Sequence, residues 1–182
     1  MLFDVWLITH SMTTLIDEAL TPTSLSGDDF GLYSLLRASG PVTPKQISRW
    51  TGMRPTTVSV ALKRLQTRNH GVLTPNPDDG RSYLIALNDA GIAAHTEAAP
   101  LFRAAMDRLA GELGTDQRAE RLALRRIDAA FRSVLGLDPR PYDLTGDGSD
   151  QGWQLSYVGN PLTSTQEDDV RRYIEFLHST TG

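Results

Sequence analysis

Apolar residues recur at helical spacing through most of this chain, and two short runs near its middle break that rhythm. Residues 43–87 hold the densest signal. Ile47 and Trp50 face one way along a short helix that opens at Thr43-Pro44-Lys45-Gln46. Thr43 can cap the free N–H groups, Pro44 takes the first helical position where no N–H is needed, and Gln46 can close a capping box. Gly52 lets the chain leave that helix with positive φ. A second helix begins at Pro55 and runs through Leu65, with Val58, Leu62 and Leu65 as its apolar stripe. Thr56, Thr57, Val60, Lys63 and Arg64 then point outward. Two short helices across a glycine-containing turn make a helix-turn-helix, whose second helix fits a DNA major groove.

The two runs that break the rhythm follow directly. Val72-Leu73-Thr74 and Ser82-Tyr83-Leu84-Ile85-Ala86-Leu87 are rich in β-branched and aromatic residues and read as strands. Between them, Pro75-Asn76-Pro77-Asp78-Asp79-Gly80-Arg81 is a run of turn formers. A hairpin placed behind the second helix is a wing, and Arg81 near its tip is positioned for a minor groove or a phosphate. A lone basic residue on a turn is usually just solvated. The order of elements, not any one residue, carries the specificity.

Elsewhere the pattern is helical. Leu2, Val5, Thr9, Met12, Ile16 and Ala19 form one stripe, and Phe3, Leu7, Ile8 and Leu15 a second. A helix apolar on so much of its circumference needs more than one packing partner. Residues from Asp89 to about Leu113 read as a long helix, with a kink or break expected near Ala98-Ala99 because Pro100 follows. Thr115 can cap a further helix to about Leu135, with Leu122, Ile127, Phe131 and Val134 on one face. Asp138-Pro139-Arg140-Pro141 and residues 146–152 read as linker, Trp153 to Val158 as a strand, and Ser164-Thr165-Gln166-Glu167 as a capping box opening an amphipathic helix.

Charge sharpens the picture. The chain carries a net −4 over 182 residues, yet residues 44–81 hold seven basic residues against two acidic ones, a net of +5. The rest of the chain is therefore strongly acidic. A basic segment on an acidic body is the electrostatic footprint of a DNA reader. There are no cysteines, which excludes disulfides and thiolate chemistry. The first residues are too short and too acidic for a secretory signal, and no apolar run reaches membrane-spanning length. His10, His70, His95 and His178 show no metal-ligand spacing. His10, on an apolar helix, reads as a core histidine with a hydrogen-bond partner, or less readily as part of an effector pocket. Gly146-Asp147-Gly148 lacks the context of a dinucleotide site. No nucleophile–base pair stands out, so neither an enzyme, a metal nor a cofactor is expected.

With these elements in order, the chain resembles the MarR family of bacterial transcriptional regulators. The matching residues are Phe30-Gly31-Leu32-Tyr33-Ser34-Leu35-Leu36, Gly40-Pro41-Val42-Thr43, Ile47-Ser48, Thr51-Gly52-Met53, Thr57-Val58-Ser59 and Leu62-Lys63-Arg64-Leu65. They continue through Pro77-Asp78-Asp79-Gly80-Arg81 to Leu87-Asn88-Asp89-Ala90-Gly91. The chain departs from the pattern in three places. Arg68-Asn69-His70-Gly71-Val72 looks about two residues longer than the usual connection, Arg54 occupies the recognition-helix cap, and Asn88 replaces a Thr. The resemblance implies a homodimer whose first and last two long helices form a common body. It also implies a small aromatic or phenolic effector.

The expected fold is mainly α with a small β wing: a winged helix-turn-helix with a helical dimerisation body and a C-terminal strand-helix extension. Its parts are a dimerisation helix and linker at 1–27, the DNA-binding lobe at 28–88, the long body helices at 89–136 and an extension at 137–182 that packs on the body. The expected function is sequence-specific regulation of transcription, as a cytoplasmic, nucleoid-associated repressor reading an inverted repeat in double-stranded DNA. Pro55, Thr56, Thr57, Ser59, Val60 and Lys63 would face or flank the major groove. Arg54 and Arg64 would hold phosphates, Lys45 would add to the basic face, and Arg81 would engage the minor groove. The alternative is a winged helix used for protein–protein contact.

Overall fold

A computed structural model describes residues 2–114 and 118–138, together with two strand segments at 142–143 and 156–157. Six helices and a wing make up the first compact unit, which runs from Met1 to Pro139. They are α1 (Leu2–Leu20), α2 (Gly27–Ser39), α3 (Pro44–Thr51), α4 (Pro55–Thr67), β1 (Gly71–Pro75), β2 (Tyr83–Leu87), α5 (Asp89–Leu113) and α6 (Arg118–Leu135). This is a mostly helical winged helix, as the pattern predicts. α4 extends two residues beyond the predicted end at Leu65.

The core lies inside the lobe. Leu32, Tyr33, Leu35 and Leu36 of α2, Ile47 of α3, and Val58, Leu62 and Leu65 of α4 are buried together with Ile85 of β2. β1 and β2 pair antiparallel, with Gly71 opposite Leu87 and Pro75 opposite Tyr83. Val42 adds a bridge to Ile85, giving and receiving one main-chain hydrogen bond at 3.1 and 2.8 Å. The wing is thereby stitched to the segment just before α3.

The loop from α4 to β1 is anchored by the residues that depart from the family pattern. Asn69 takes φ of 55°, a conformation that asparagine tolerates better than most residues. Asn88 caps α5 by accepting from the Gly91 N–H at 3.0 Å, and its amide donates to the Asn69 carbonyl at 2.9 Å. A threonine could make the cap but has no amide N–H for that second bond. The longer loop and the Asn88 replacement therefore belong together.

Two expectations change. α5 continues through Pro100 as one helix, so of the expected kink or break there is no break. Proline removes one backbone bond, while α1 and α2 both pack on α5, whose Ala98 and Ala105 are buried; tertiary packing of this kind, rather than propensity, is what sustains most helices. His10 is exposed rather than a core residue; its Nδ1–H donates to the Trp6 carbonyl at 2.9 Å, one turn back on its own helix. α1 packs on α5 and α2 along one side only, so Phe3, Trp6 and Ile8 stay exposed with it.

The second unit runs from Arg140 to Gly182. In it β3 (Tyr142–Asp143) pairs antiparallel with β4 (Ser156–Tyr157). β4 falls inside the strand predicted at 153–158, while β3 had no counterpart in the pattern. The Thr115 cap and the helix expected from Ser164 lie outside the described residues. No helix among the described residues is long and apolar enough to cross a membrane.

Candidate nucleic-acid interface

The interface begins with a rigid α3. The Thr43 hydroxyl accepts from the Gln46 N–H at 3.2 Å, and the Gln46 side chain accepts from the Thr43 N–H at 2.8 Å, closing the predicted capping box. At the other end Gly52, at φ of 80°, donates its N–H to the Ser48 carbonyl. A side chain there would be strained, so glycine sets the angle at which the chain enters α4.

α4 starts at Pro55, behind an Arg54 whose side chain makes no capping hydrogen bond. Its buried stripe is Val58, Ala61, Leu62 and Leu65. Thr56, Thr57, Ser59, Val60 and Lys63 are all exposed, with Val60 at 56%. An isolated valine so open on a polar helix face is suited to apolar contact with a partner.

The seven basic residues of 44–81 divide into two sets. Arg49 pairs with Asp138, while Arg64 and Arg68 both pair with Asp29. Lys45, Arg54, Lys63 and Arg81 are exposed and form no ion pair among the described residues. The unpaired set lies on α3, at the α4 N-terminus, on α4 and at the wing tip. Arg64, expected to hold a phosphate, already has an anionic partner.

The wing turn is held by its own side chains. The Asn76 amide donates to the Ser82 hydroxyl at 2.7 Å, the Asn76 side-chain oxygen accepts from the Asp78 N–H, and Asp79 accepts from the Arg81 N–H at 3.0 Å. These Asx-type turns fix the backbone at Arg81 and leave its side chain in solvent.

Asp29 and Arg132 were not anticipated. Asp29 lies in the first turn of α2 behind the Ser26 cap, with 2% of its surface exposed. Burial pushes its carboxyl pKa up, but hydrogen bonds from Arg68, Arg64 and Ser26 and the charge of Arg68 more than reverse this, so it stays below the ordinary value. Arg132, on α6, is the other buried charge among the described residues. The only local hint was two acidic residues behind a serine cap; the partners of Asp29 lie 35 and 39 positions away.

The known families and structures agree with this geometry. The model of the MarR family matches residues 32–82, which hold most of α2, the helix-turn-helix and the wing. Residues 32–82 carry a winged helix that matches the MarR family. A mutant MarR from E. coli complexed with operator DNA is similar, with a TM-score of 0.60 and 20% identity over 72% of this chain and 90% of that one. A transcriptional repressor, CouR, bound to a 23-mer DNA duplex has a TM-score of 0.62 and 25% identity over 71% and 89%. A MarR-family regulator from Rhodococcus sp. RHA1 has a TM-score of 0.58 and 20% identity over 72% and 91%. Among curated proteins, none matches the chain. The chain thus has the fold of the MarR transcriptional regulators, some of which have been seen on DNA.

Proposed function

We propose that this protein is a homodimeric, sequence-specific DNA-binding regulator that represses transcription by occupying an inverted repeat. The observation that carries the reading is the division of charge: four exposed cations with no ion pair among the described residues surround an exposed α4 face of Thr56, Thr57, Ser59, Val60 and Lys63. Hydroxyls and a lysine on α4 can hydrogen-bond base edges, and the Val60 side chain suits a thymine methyl group. Lys45 and Arg54 would contact phosphates, which position the protein without reading sequence. Arg81 would reach the minor groove or its walls.

The exposed apolar residues of α1 and α6 support a dimer, in which Phe3, Ile8, Val134 and Leu135 would be covered. Two such lobes should sit about one DNA turn apart, roughly 34 Å. Resemblance to the family supports a small aromatic or phenolic effector, which would release the DNA by preferring a lobe spacing that does not match the groove.

The test is fluorescence anisotropy on duplex DNA flanking the protein's own coding region, against a scrambled duplex, over a salt series. Binding that prefers the native duplex and weakens with salt supports the reading. Weak binding that ignores sequence rejects it.

A further inference from the structure

Asp29 has no place in the reading above, yet it is one of two buried charges among the described residues assigned a burial state. Its carboxylate gathers two arginines of the recognition element. Arg64 directs both Nε and Nη2 to Oδ1, at 3.0 and 2.9 Å, and Arg68 directs Nη1 to Oδ2 at 2.9 Å. Arg64 lies in the last turn of α4 and Arg68 is its C-cap. The carboxylate is buried, with 2% of Asp29 exposed, in the first turn of α2 behind the Ser26 cap, where the helix N-terminus also favours an anion.

Two long, charged side chains beside a reading face would grip any phosphate within reach. Such contacts raise affinity for all DNA and carry no sequence information. Discrimination is a difference between affinities, so it falls when the sequence-independent part grows. Both oxygens of Asp29 are occupied by arginines that would otherwise supply that part.

We propose that Asp29 is a specificity-determining residue: it withholds Arg64 and Arg68 from the DNA backbone, so that binding rests on the α4 reading face and the four unpaired cations. The inference depends on the DNA-binding reading. It differs from a buttress, in which Asp29 would orient Arg64 toward a phosphate.

Anisotropy titrations of the full chain on the native and scrambled duplexes, across a salt series, separate these. In D29N the scrambled duplex is expected to bind severalfold more tightly, the native-to-scrambled ratio to fall, and the log–log salt slope to steepen by about 0.9 for each further phosphate engaged. A protein that merely lost packing would bind both duplexes more weakly, with no steeper slope. Because D29N leaves two arginines without an anion and could unfold, R68Q is measured beside it, with Arg64 still holding Asp29. R68Q is expected to leave the slope unchanged, whereas K63A flattens it by about 0.9. A slope flattened equally by R68Q, or a D29N that keeps the wild-type circular dichroism yet binds both duplexes more weakly, overturns the proposal while the regulator reading stands. A wild-type chain that does not prefer its native duplex overturns both.

Discussion

Arg132 of α6 donates through Nη1 to the main-chain carbonyl of Trp50, in the last turn of α3, across 2.8 Å. Its Nη2 reaches the Arg49 carbonyl at 3.1 Å and its Nε the Asp138 carbonyl at 2.8 Å. Carbonyls at the end of a helix have no partner within it, and a cation there is favourable. Only 7% of Arg132 is exposed, so these carbonyls replace its water. The end of α6 supplies the rest of the clamp. Gly136, at φ of 61°, and Leu137 donate back to Ser133 and Arg132, a Schellman turn that brings Leu137 against Gly52 and Asp138 to Arg49. α6 is thereby joined to the helix-turn-helix at the turn that sets the angle of α4.

Replacing Arg132 with methionine is expected to lower the unfolding free energy by about 2 kcal/mol, the scale of hydrogen bonds to a charged group. R132K should recover less than half, because a single ammonium cannot span three carbonyls as a planar guanidinium does. Urea unfolding of the three proteins measures this. Equal midpoints would mean that the clamp contributes nothing to stability.

Gly91 explains why a glycine stands four residues after Leu87. A Cβ built there would overlap the His70 carbonyl oxygen, a backbone atom that is already bonded to the Asn88 N–H. G91A should therefore cost about 1–3 kcal/mol, as overpacking does. Gly111, on the same helix, has open space around its missing side chain. G111A should stabilise by up to about 1 kcal/mol through helix propensity alone. Opposite shifts in urea midpoint are expected; a destabilised G111A or an unchanged G91A contradicts the packing argument.

These residues mark which parts of the molecule are legible in the chain. The capping box of Thr43 and Gln46, the glycine exit at Gly52 and the turn around Asp79 each involve residues within a few positions of one another, so composition and spacing reveal them. The apolar stripe of α4 is legible for the same reason. Asp29 meets Arg64 across 35 positions, and Arg132 meets Trp50 across 82. No periodicity encodes such a meeting; it exists only once the helices pack. Residue type alone marks Arg64 as a cation on a DNA-facing helix, and nothing nearby in the chain reveals the buried carboxylate beside it. Pro100 is legible only in part: its local chemistry points to a kink or break, and the helix, packed against α1 and α2, runs on without a break.

His95 gives a pH dependence whose sign can be derived. Its ring stacks on Phe30 at 4.9 Å, nearly parallel. The Ser34 hydroxyl donates to the Phe30 carbonyl at 2.8 Å and so accepts from His95 Nε2 at 3.0 Å. That places the proton on Nε2 and leaves Nδ1 buried with no hydrogen-bond partner among the described residues. Burial, and beyond it the charge of Arg37, holds the pKa of His95 below the ordinary imidazole value. The unfolded chain takes up the proton more readily, so this contribution to stability is complete above about pH 6.5 and is lost as pH falls through the folded-state pKa. H95F keeps the stack and removes the titration. Urea midpoints should fall between pH 7.5 and pH 5.5 further in the wild type than in H95F; parallel declines would show that other groups dominate.

Val134 is 85% exposed in the single chain, and Leu135 beside it is 63% exposed. On the dimer reading both are covered by a partner, so a charge at Val134 would have to be buried unpaired. V134E should shift sedimentation from dimer to monomer while leaving the far-ultraviolet helical signal nearly intact, since the residue touches little within its own chain. A wild-type chain that sediments as a monomer at micromolar concentration would remove the basis for an inverted repeat.

Arg81 and Lys63 should fail in different ways. Arg81 stands on a turn fixed by Asp79 and has no ion-pair partner among the described residues, so its charge is available to a phosphate or a narrow groove. R81A is expected to weaken binding on native and scrambled duplexes alike and to flatten the salt slope by about 0.9 for the phosphate no longer held. Thr56 sits on the reading face and carries no charge, so T56A should leave the slope unchanged and alter the order of preference among duplexes differing at single positions. A base contact of that kind is typically worth about 1–3 kcal/mol of discrimination. Lys63 combines both properties, and K63A should show a flatter slope together with changed preference. If T56A lowers binding equally on every duplex, Thr56 holds the backbone rather than a base. If R81A leaves both affinity and slope unchanged, the wing tip does not touch DNA, and the basic face must be completed by another element.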